Sequence, residues 1–344
     1  MTVTVQSVLD RVQQTLQDTG GIRWSSTNEL ILWVNDAQKE IALLKPDATA
    51  VNTTSTLVAG TKQSLPADGN RLLNVTRNMK AVEKTFAVTV YVSSGSNKYF
   101  IDAAIQNLSL EEGGTYTFDQ SHNTNGGHPL RFSTTQHGTH NSGTEYTTGV
   151  TTNGTPGNAG AYTKITVATG APTLYTYCTA HTGMGFTVTT DDFVGVGTRS
   201  VRAVSRDILD SLEPSWHDAT VKGDAKHGSV IKHFMYEEQN PRNYYVYPGV
   251  ASGSNAYLEV IYSKNPATVT ASDNLTVPDL YSTAVMHYVL YMCYMKDSEY
   301  VGSQQLANSH FNLFMTSVTG KTQIDMFTSP NMGSSPQPQI TGVG

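Results

Sequence analysis

Four residues of this chain have the types and the spacing to hold a transition metal. Cys178, His181 and Met184 stand three apart in the run YTYCTAHTGM (Tyr175 to Met184), and His128 lies upstream in GHPLRF (Gly127 to Phe132). A trigonal copper centre needs two imidazoles and one thiolate in a plane with a long axial thioether. His128, Cys178, His181 and Met184 supply that set, and one loop can carry three of the ligands while a distant strand offers the fourth. The chemistry would be copper binding and one-electron transfer. A plainer account fits the same residues: Cys178 as a small buried side chain, with the histidines and the methionine packed or exposed. His122, His137 and His140 read as loop histidines, any of which could compete for metal.

No other part of the chain carries a reactive constellation. There is no Gly-rich phosphate loop, no G-x-S-x-G elbow, no H-E-x-x-H and no paired carboxylates in a recognisable setting. His217, His227 and His233 are scattered among polar residues and read as solvated or hydrogen-bonded. The expectation is a protein that is not an enzyme. With 22 Lys+Arg against 28 Asp+Glu, net −6, a basic nucleic-acid binder is excluded. The N-terminus MTVTVQSVLDRVQQ has neither a basic nor an apolar leader region. The longest apolar run, Ala284 to Met295, is broken by His287 and falls short of the about 20 residues a bilayer requires. Cys178 and Cys293 are too few and too far apart for a disulfide framework, so synthesis in a cytoplasm fits.

The elements that must position the four ligands belong to a stretch of distinct composition. Residues 81–197 hold 4 basic and 8 acidic side chains, five of the ten histidines and many Thr and Gly. They read as a separate β-sandwich inserted into a host whose two parts are 1–80 and 198–319. The host begins helically: Val5, Val8, Val12 and Leu16 recur at helical spacing until Asp18-Thr-Gly-Gly21 stops them. A second helix is expected from a capping box of Ser26 and Glu29 to Pro46. Thr56 to Leu65 around Ala59-Gly-Thr61 suggests a hairpin, and Leu72 to Met79 a strand. After the break, strands are expected at 230–236, 243–247 and 256–263, with a turn at 238–242 between the first two. Pro278 then opens a helix apolar nearly all round, which suggests burial in a core and against a neighbouring subunit. A last helix carries Leu306, His310, Leu313, Phe314 and Val318. From Gly320 the chain turns to Ser, Pro, Gly and Gln, so 320–344 reads as an extended arm held by a partner, with Ile324, Met326 and Phe327 as its anchors.

Two resemblances add to this reading. RWSSTNELILWVNDAQKEIALLKPDA (Arg23 to Ala48), LPADGNRLLNVTRNM (Leu65 to Met79), VRAVSRDILDSLEPSW (Val201 to Trp216), NPRNYYVYPG (Asn240 to Gly249) and VPDLYSTAVMHYVLYMCYMKDSEY (Val277 to Tyr300) together resemble the head-to-tail adaptor, or connector, proteins of short-tailed bacteriophages. The long insert is a departure from that family. The insert, with its Cys-x-x-His-x-x-Met loop after a strand, resembles the cupredoxins, β-sandwich electron carriers, at the short loop spacing of amicyanins.

The adaptor resemblance implies a fold of class α+β: a helical bundle with a small β-rich body, here carrying an all-β cupredoxin-like sandwich. It implies a structural protein of the virion neck: a homo-oligomeric ring of twelve subunits beneath the portal. Such a ring carries the tail nozzle, and DNA passes through its lumen without specific binding. No membrane is involved. Tail fibres are a further possible partner of the insert. No cofactor is expected beyond copper at the four ligands. The competing readings are a copper-binding redox protein with a helical scaffold and a fibre- or receptor-binding module.

Overall fold

Every third residue of strand β3 (Gly69–Lys80) is buried: Gly69, Leu72, Val75 and Asn78. A regular strand buries alternate residues. The cause is pairing with β17 (Tyr257–Lys264), in which Leu258, Val260 and Tyr262 face Asn78, Val75 and Leu72 with register shifts between them. Two residues of β17 span three of β3, the geometry of repeated β-bulges. The computed structural model describes residues 3–25, 29–297, 299 and 301–328.

Strands β1 (Ala50–Thr56) and β13 (Val196–Ser200) complete that sheet in the order β1-β17-β3-β13. A second sheet orders as β14 (Arg202–Ala203), β15 (His233–Tyr236), β16 (Asn243–Val250) and β2 (Gly60–Ser64). Leu72, Val75 and Val260 of the first meet Phe234, Tyr244 and Val246 of the second in one core. Asn78 ties the two together. Buried at 3 % exposure, its amide donates to the carbonyls of Arg199 and Ile231 and its oxygen accepts the Ile231 N–H.

The helices α1 (Val5–Thr15), α2 (Ile31–Leu44), α4 (Ser282–Lys296) and α5 (Val301–Thr328) share a separate apolar core. The short α3 (Arg206–Leu212) lies beside the fully buried Trp216, with Leu209, Met235 and Tyr247 around it. Helix α4 packs against α1, α2 and α5. Its apolarity on nearly every side is used within the chain. No helix among the described residues is long and apolar enough to cross a membrane.

Residues 83–191 form two further sheets. One orders as β5 (Ser96–Ile101), β4 (Glu83–Ser93), β7 (Thr115–Asp119), β10 (Tyr162–Thr166) and β9 (Val150–Asn153). The other orders as β6 (Leu108–Glu111), β12 (Thr187–Asp191), β11 (Leu174–Cys178) and β8 (Leu130–Ser133). Phe86, Val88, Phe118 and Ile165 from the first meet Phe132 and Val188 from the second in one core. The chain leaves β3 and comes back along it, since Lys80 and Met79 are the register partners of Val196 and Gly197. The molecule is thus α+β, with most of its regular structure in sheets and few helices.

Two expectations meet a different structure. Thr56 to Leu65 is not a hairpin: β1 pairs with β17 and β2 with β16, so the chain crosses between sheets at Gly60, whose φ is +102°. Local alternation marks a strand but not its partner. The 320–344 segment is not extended from its start, because α5 runs through Gly320 to Thr328. Residues 321–328 contain no proline, and one glycine costs a helix only about 1 kcal/mol. Ile324, Met326 and Phe327 therefore sit on helical backbone, while 329–344 lie outside the described residues, as does Ser26 of the expected capping box.

Replacing Asn78 by Ala leaves the Ile231 N–H and two carbonyls without their partner at the join of two sheets. A loss on the order of 2–3 kcal/mol is expected, read as a lower urea midpoint. An unchanged midpoint would contradict the role given to Asn78.

Candidate metal centre

Pairing between β8 and β11 sets the distance between the first two ligands. Cys178, the last residue of β11, faces Leu130, the first of β8, and His128 lies two residues before it. The His128 backbone is fixed on both sides: its N–H donates to the Asn125 carbonyl at 2.9 Å. Its own carbonyl accepts from the Tyr99 hydroxyl and the Gln120 amide, each at 2.9 Å. Gln120 also accepts the Leu130 N–H at 3.1 Å. One side chain therefore locks both His128 and the start of β8.

The third ligand sits in the turn that follows β11. The Lys98 ammonium donates to the Gly183 carbonyl, and Phe186 re-enters the sheet by accepting the Thr176 N–H at 2.9 Å. Gly185 allows that return, since a Cβ there would stand 1.7 Å from the Thr176 oxygen. The turn brings His181 back over the end of β11.

The outcome is a cluster of three donors. The Cys178 sulfur lies 3.9 Å from Nδ1 of His128 and 3.7 Å from Nδ1 of His181, with the two rings 4.6 Å apart at 45°. All three donor atoms fall within 4.8 Å of one another, the one such set of His, Cys, Asp and Glu among the described residues. Bonds of about 2.0 Å to nitrogen and about 2.3 Å to sulfur at trigonal angles would hold N and S about 3.8 Å apart. The two sulfur-to-nitrogen distances are close to that value. Cys178 is fully buried, His128 half-buried and His181 exposed, so the set closes inward and opens to solvent at one imidazole. Met184 is buried in the same core as Cys178.

Electrostatics favour neutral imidazole at His128. Burial lowers its pKa below the ordinary histidine value, and the neighbouring His181 ring lowers it further. A metal competes with a proton for that nitrogen, so a depressed pKa leaves the ligand free. The other cysteine contrasts with this. Cys293, buried on α4, has its thiol pushed up to about 12 by desolvation and then by Glu29 and Asp297, and its role is packing.

Two residues around the site, Tyr99 and Gln120, were not singled out by the sequence, and a third, His140, expected as a loop histidine able to compete for metal, bonds the backbone of the thiol strand instead. His140 donates from Nε2 to the Cys178 carbonyl at 2.9 Å, bringing a turn from beyond β8 against the thiol strand. Tyr99 and Gln120 clamp His128 from β5 and the end of β7. Each acts through side-chain contacts set by tertiary approach, and no spacing in the chain announces them. His122 instead bonds Thr124 next to its own turn, and His137 occupies a left-handed turn. Neither belongs to the cluster. Of the remaining histidines, His217 bonds Thr61 at 2.7 Å and His227 bonds the Trp216 carbonyl at 3.3 Å.

The clamp on His128 can be tested by unequal substitutions. Tyr99→Phe removes one of two donors to a carbonyl and should cost about 1 kcal/mol, whereas Gln120→Ala also strips the buried Leu130 N–H and should cost about twice that or more. Equal losses in thermal or urea unfolding would mean that Gln120 does not join the two elements.

Comparison with known proteins addresses the whole chain. The family model described as SU10 adaptor protein matches residues 3–189 and 162–334. No curated protein matches the chain. The two matches together reach from α1 to beyond the end of α5 and take in both the host sheets and the ligand-bearing strands. On that extent of agreement the chain belongs to the SU10 adaptor protein family, a family of bacteriophage structural proteins rather than enzymes.

Proposed function

We propose that this protein is the ring subunit of a head-to-tail junction, joining the portal to the tail nozzle and forming part of the channel through which DNA passes. The family match over most of the chain carries the reading. A ring of twelve is the number implied by the resemblance to adaptors of short-tailed phages. The protein is made in the host cytoplasm and carried in the virion neck. A net charge of −6 suits a channel wall, because a phosphate-binding surface would retain DNA by counterion release instead of letting it slide.

In this proposal residues 1–80 and 198–319 are the ring-forming domain, a helical bundle with a β-rich body, and 81–197 an inserted cupredoxin-like sandwich. The side-by-side exit and return at Lys80 and Val196 supports an insertion at one point of the host surface. The insert faces outward, toward tail fibres or solvent, since an extra hundred residues per subunit would obstruct a lumen. The C-terminal arm, 320–344, begins on the last turns of α5 and docks on a neighbour or the portal, with Ile324, Met326 and Phe327 as its anchors. Mass measurement and imaging of the purified chain, alone and mixed with portal protein, should give a closed ring near twelve copies. A stable monomer under both conditions would remove the ring.

A second reading concerns the insert alone: His128, Cys178 and His181 would hold copper, with Met184 as a fourth ligand. The donor spacing favours it. Copper held there would supply one-electron redox chemistry, and the protein's share is one sulfur and two imidazoles brought together by the β8–β11 pairing and the turn after β11. Titration with Cu(II) should give one equivalent bound and a thiolate-to-copper absorption band in the visible. Cys178→Ser should lose the band. Binding without a band, or a band that survives the substitution, would leave Cys178 as a packing residue only.

A further inference from the structure

His287 on α4 and His310 on α5 face one another away from the metal cluster. Their Nδ1 atoms are 3.1 Å apart and their ring centroids 5.2 Å apart at 32°. Two imidazole nitrogens at that distance form a hydrogen bond only if one carries a proton and the other a lone pair. Tyr294 lies flat against His310, with centroids 5.6 Å apart and 4° between planes, and keeps that ring from turning aside. Both histidines are half-buried.

We propose that the His287–His310 pair is an acid-released latch between α4 and α5, closed while the rings share one Nδ1 proton and opened when both rings are charged. One protonation can be accommodated: an imidazolium donates to a neutral partner. The second removes the only lone pair facing the contact and leaves two cations 3.1 Å apart.

The surroundings do not compensate that second charge. From α1, Arg11 acts on His287 and adds to the repulsion, after burial and His310 itself. Burial alone lowers His310. On α2, Asp36 and Glu40 act on Tyr288 of α4, not on the pair, and Lys39 is held by Asp36. Farther along α4, Lys296 pairs with Glu29, while Glu29 and Asp297 act on Cys293. The phenol stacked beside His310, Tyr294, has its pKa raised by burial and stays neutral in the acid range. The latch therefore meets a cation from α1 and no carboxylate acting on it among the described residues.

The direction with pH follows. Because the folded pair is held below the ordinary histidine value of 6.5, the opened form binds more protons once pH falls to that value. The α4–α5 contact is at full strength above about pH 6.5 and weakens as pH falls below it. Each proton taken up on opening raises the opening equilibrium by up to about tenfold per pH unit. Helix α5 leads into the C-terminal segment, so the latch governs how firmly the base of that segment is held.

Hydrogen exchange on the full chain at pH 7.5 and pH 5.0, corrected for intrinsic amide rates, reads this directly. Amides of 301–320 should lose about tenfold or more in protection at the lower pH relative to the sheets of 83–191. In His310→Gln, which keeps a polar side chain but cannot take the second charge, that pH-dependent loss should flatten. His287→Gln should behave the same way and guards against a variant that misfolds. Protection in 301–320 that is equal at the two pH values in the wild type would overturn the latch. So would a loss of the same size in both substituted chains.

Discussion

Strand β3 has three duties, and its bulged pairing with β17 is the constraint that reconciles them. The three-for-two register turns Leu72, Val75 and Asn78 toward the same core even though they are spaced like residues on a helix. Leu72 and Val75 bury apolar surface between the host sheets, Asn78 ties those sheets by three hydrogen bonds, and Lys80 releases the chain into the ligand-bearing strands. Without the bulges a spacing of three would alternate between faces, and Val75 would point away from the core that Leu72 enters. Glu259 on β17 adds an outer tie. It accepts from the Arg77 guanidinium and the Thr76 hydroxyl, which hold its carboxyl down at about 2.

The link between the host and the ligand-bearing sheets is polar as well as covalent. Glu111 at the end of β6 accepts the N–H groups of Val194 and Gly195, the Val194 carbonyl accepts from Thr54 of β1 at 2.5 Å, and Phe193 lies 4.6 Å from the Tyr257 ring of β17. The segment that returns the chain to β13 is thus fastened to both sides. The three-donor cluster is held from strands of this same unit. Its three donors owe their approach to the β8–β11 register and to one permissive glycine, not to any metal.

Much of this was legible in the sequence, and the part that was not has a common cause. Periodicity located α1 through Val5, Val8 and Val12, and the turn at 238–242 joins β15 and β16 as antiparallel neighbours. Residue type singled out His128, Cys178, His181 and Met184, and the x-x interval on a tight turn leaves little freedom between Cys178 and His181, whereas His128 is brought in by strand pairing. Partnership was illegible. Nothing in Thr56 to Leu65 says that its two arms belong to different sheets, and nothing near Tyr99, Gln120 or His140 says that they converge on residues far along the chain. The α5 extension was missed for another reason: a Ser/Pro/Gly-rich end was averaged with Lys321 to Thr328, which has the makings of a helix.

The helix over 282–296 changes what the apolar surface says about assembly. It packs against three helices, with Val285, Val289, Leu290 and Cys293 fully buried, while Tyr288, Tyr291 and Tyr294 are half-buried and Met295 is exposed, so most of its apolar composition is used within the chain. Further exposed apolar surface lies elsewhere in the helical layer: Leu32 and Leu43 on α2 are 59 % and 74 % exposed, and Leu306 and Leu313 on α5 are 46 % and 47 % exposed. Scattered exposed leucines are ordinary on a protein surface. In the proposed ring, however, these outer faces and not α4 are what a neighbouring copy would meet. Helix α4 would then be the internal support that fixes α2 and α5 relative to one another, and the His287–His310 contact lies on the α5 side of that support.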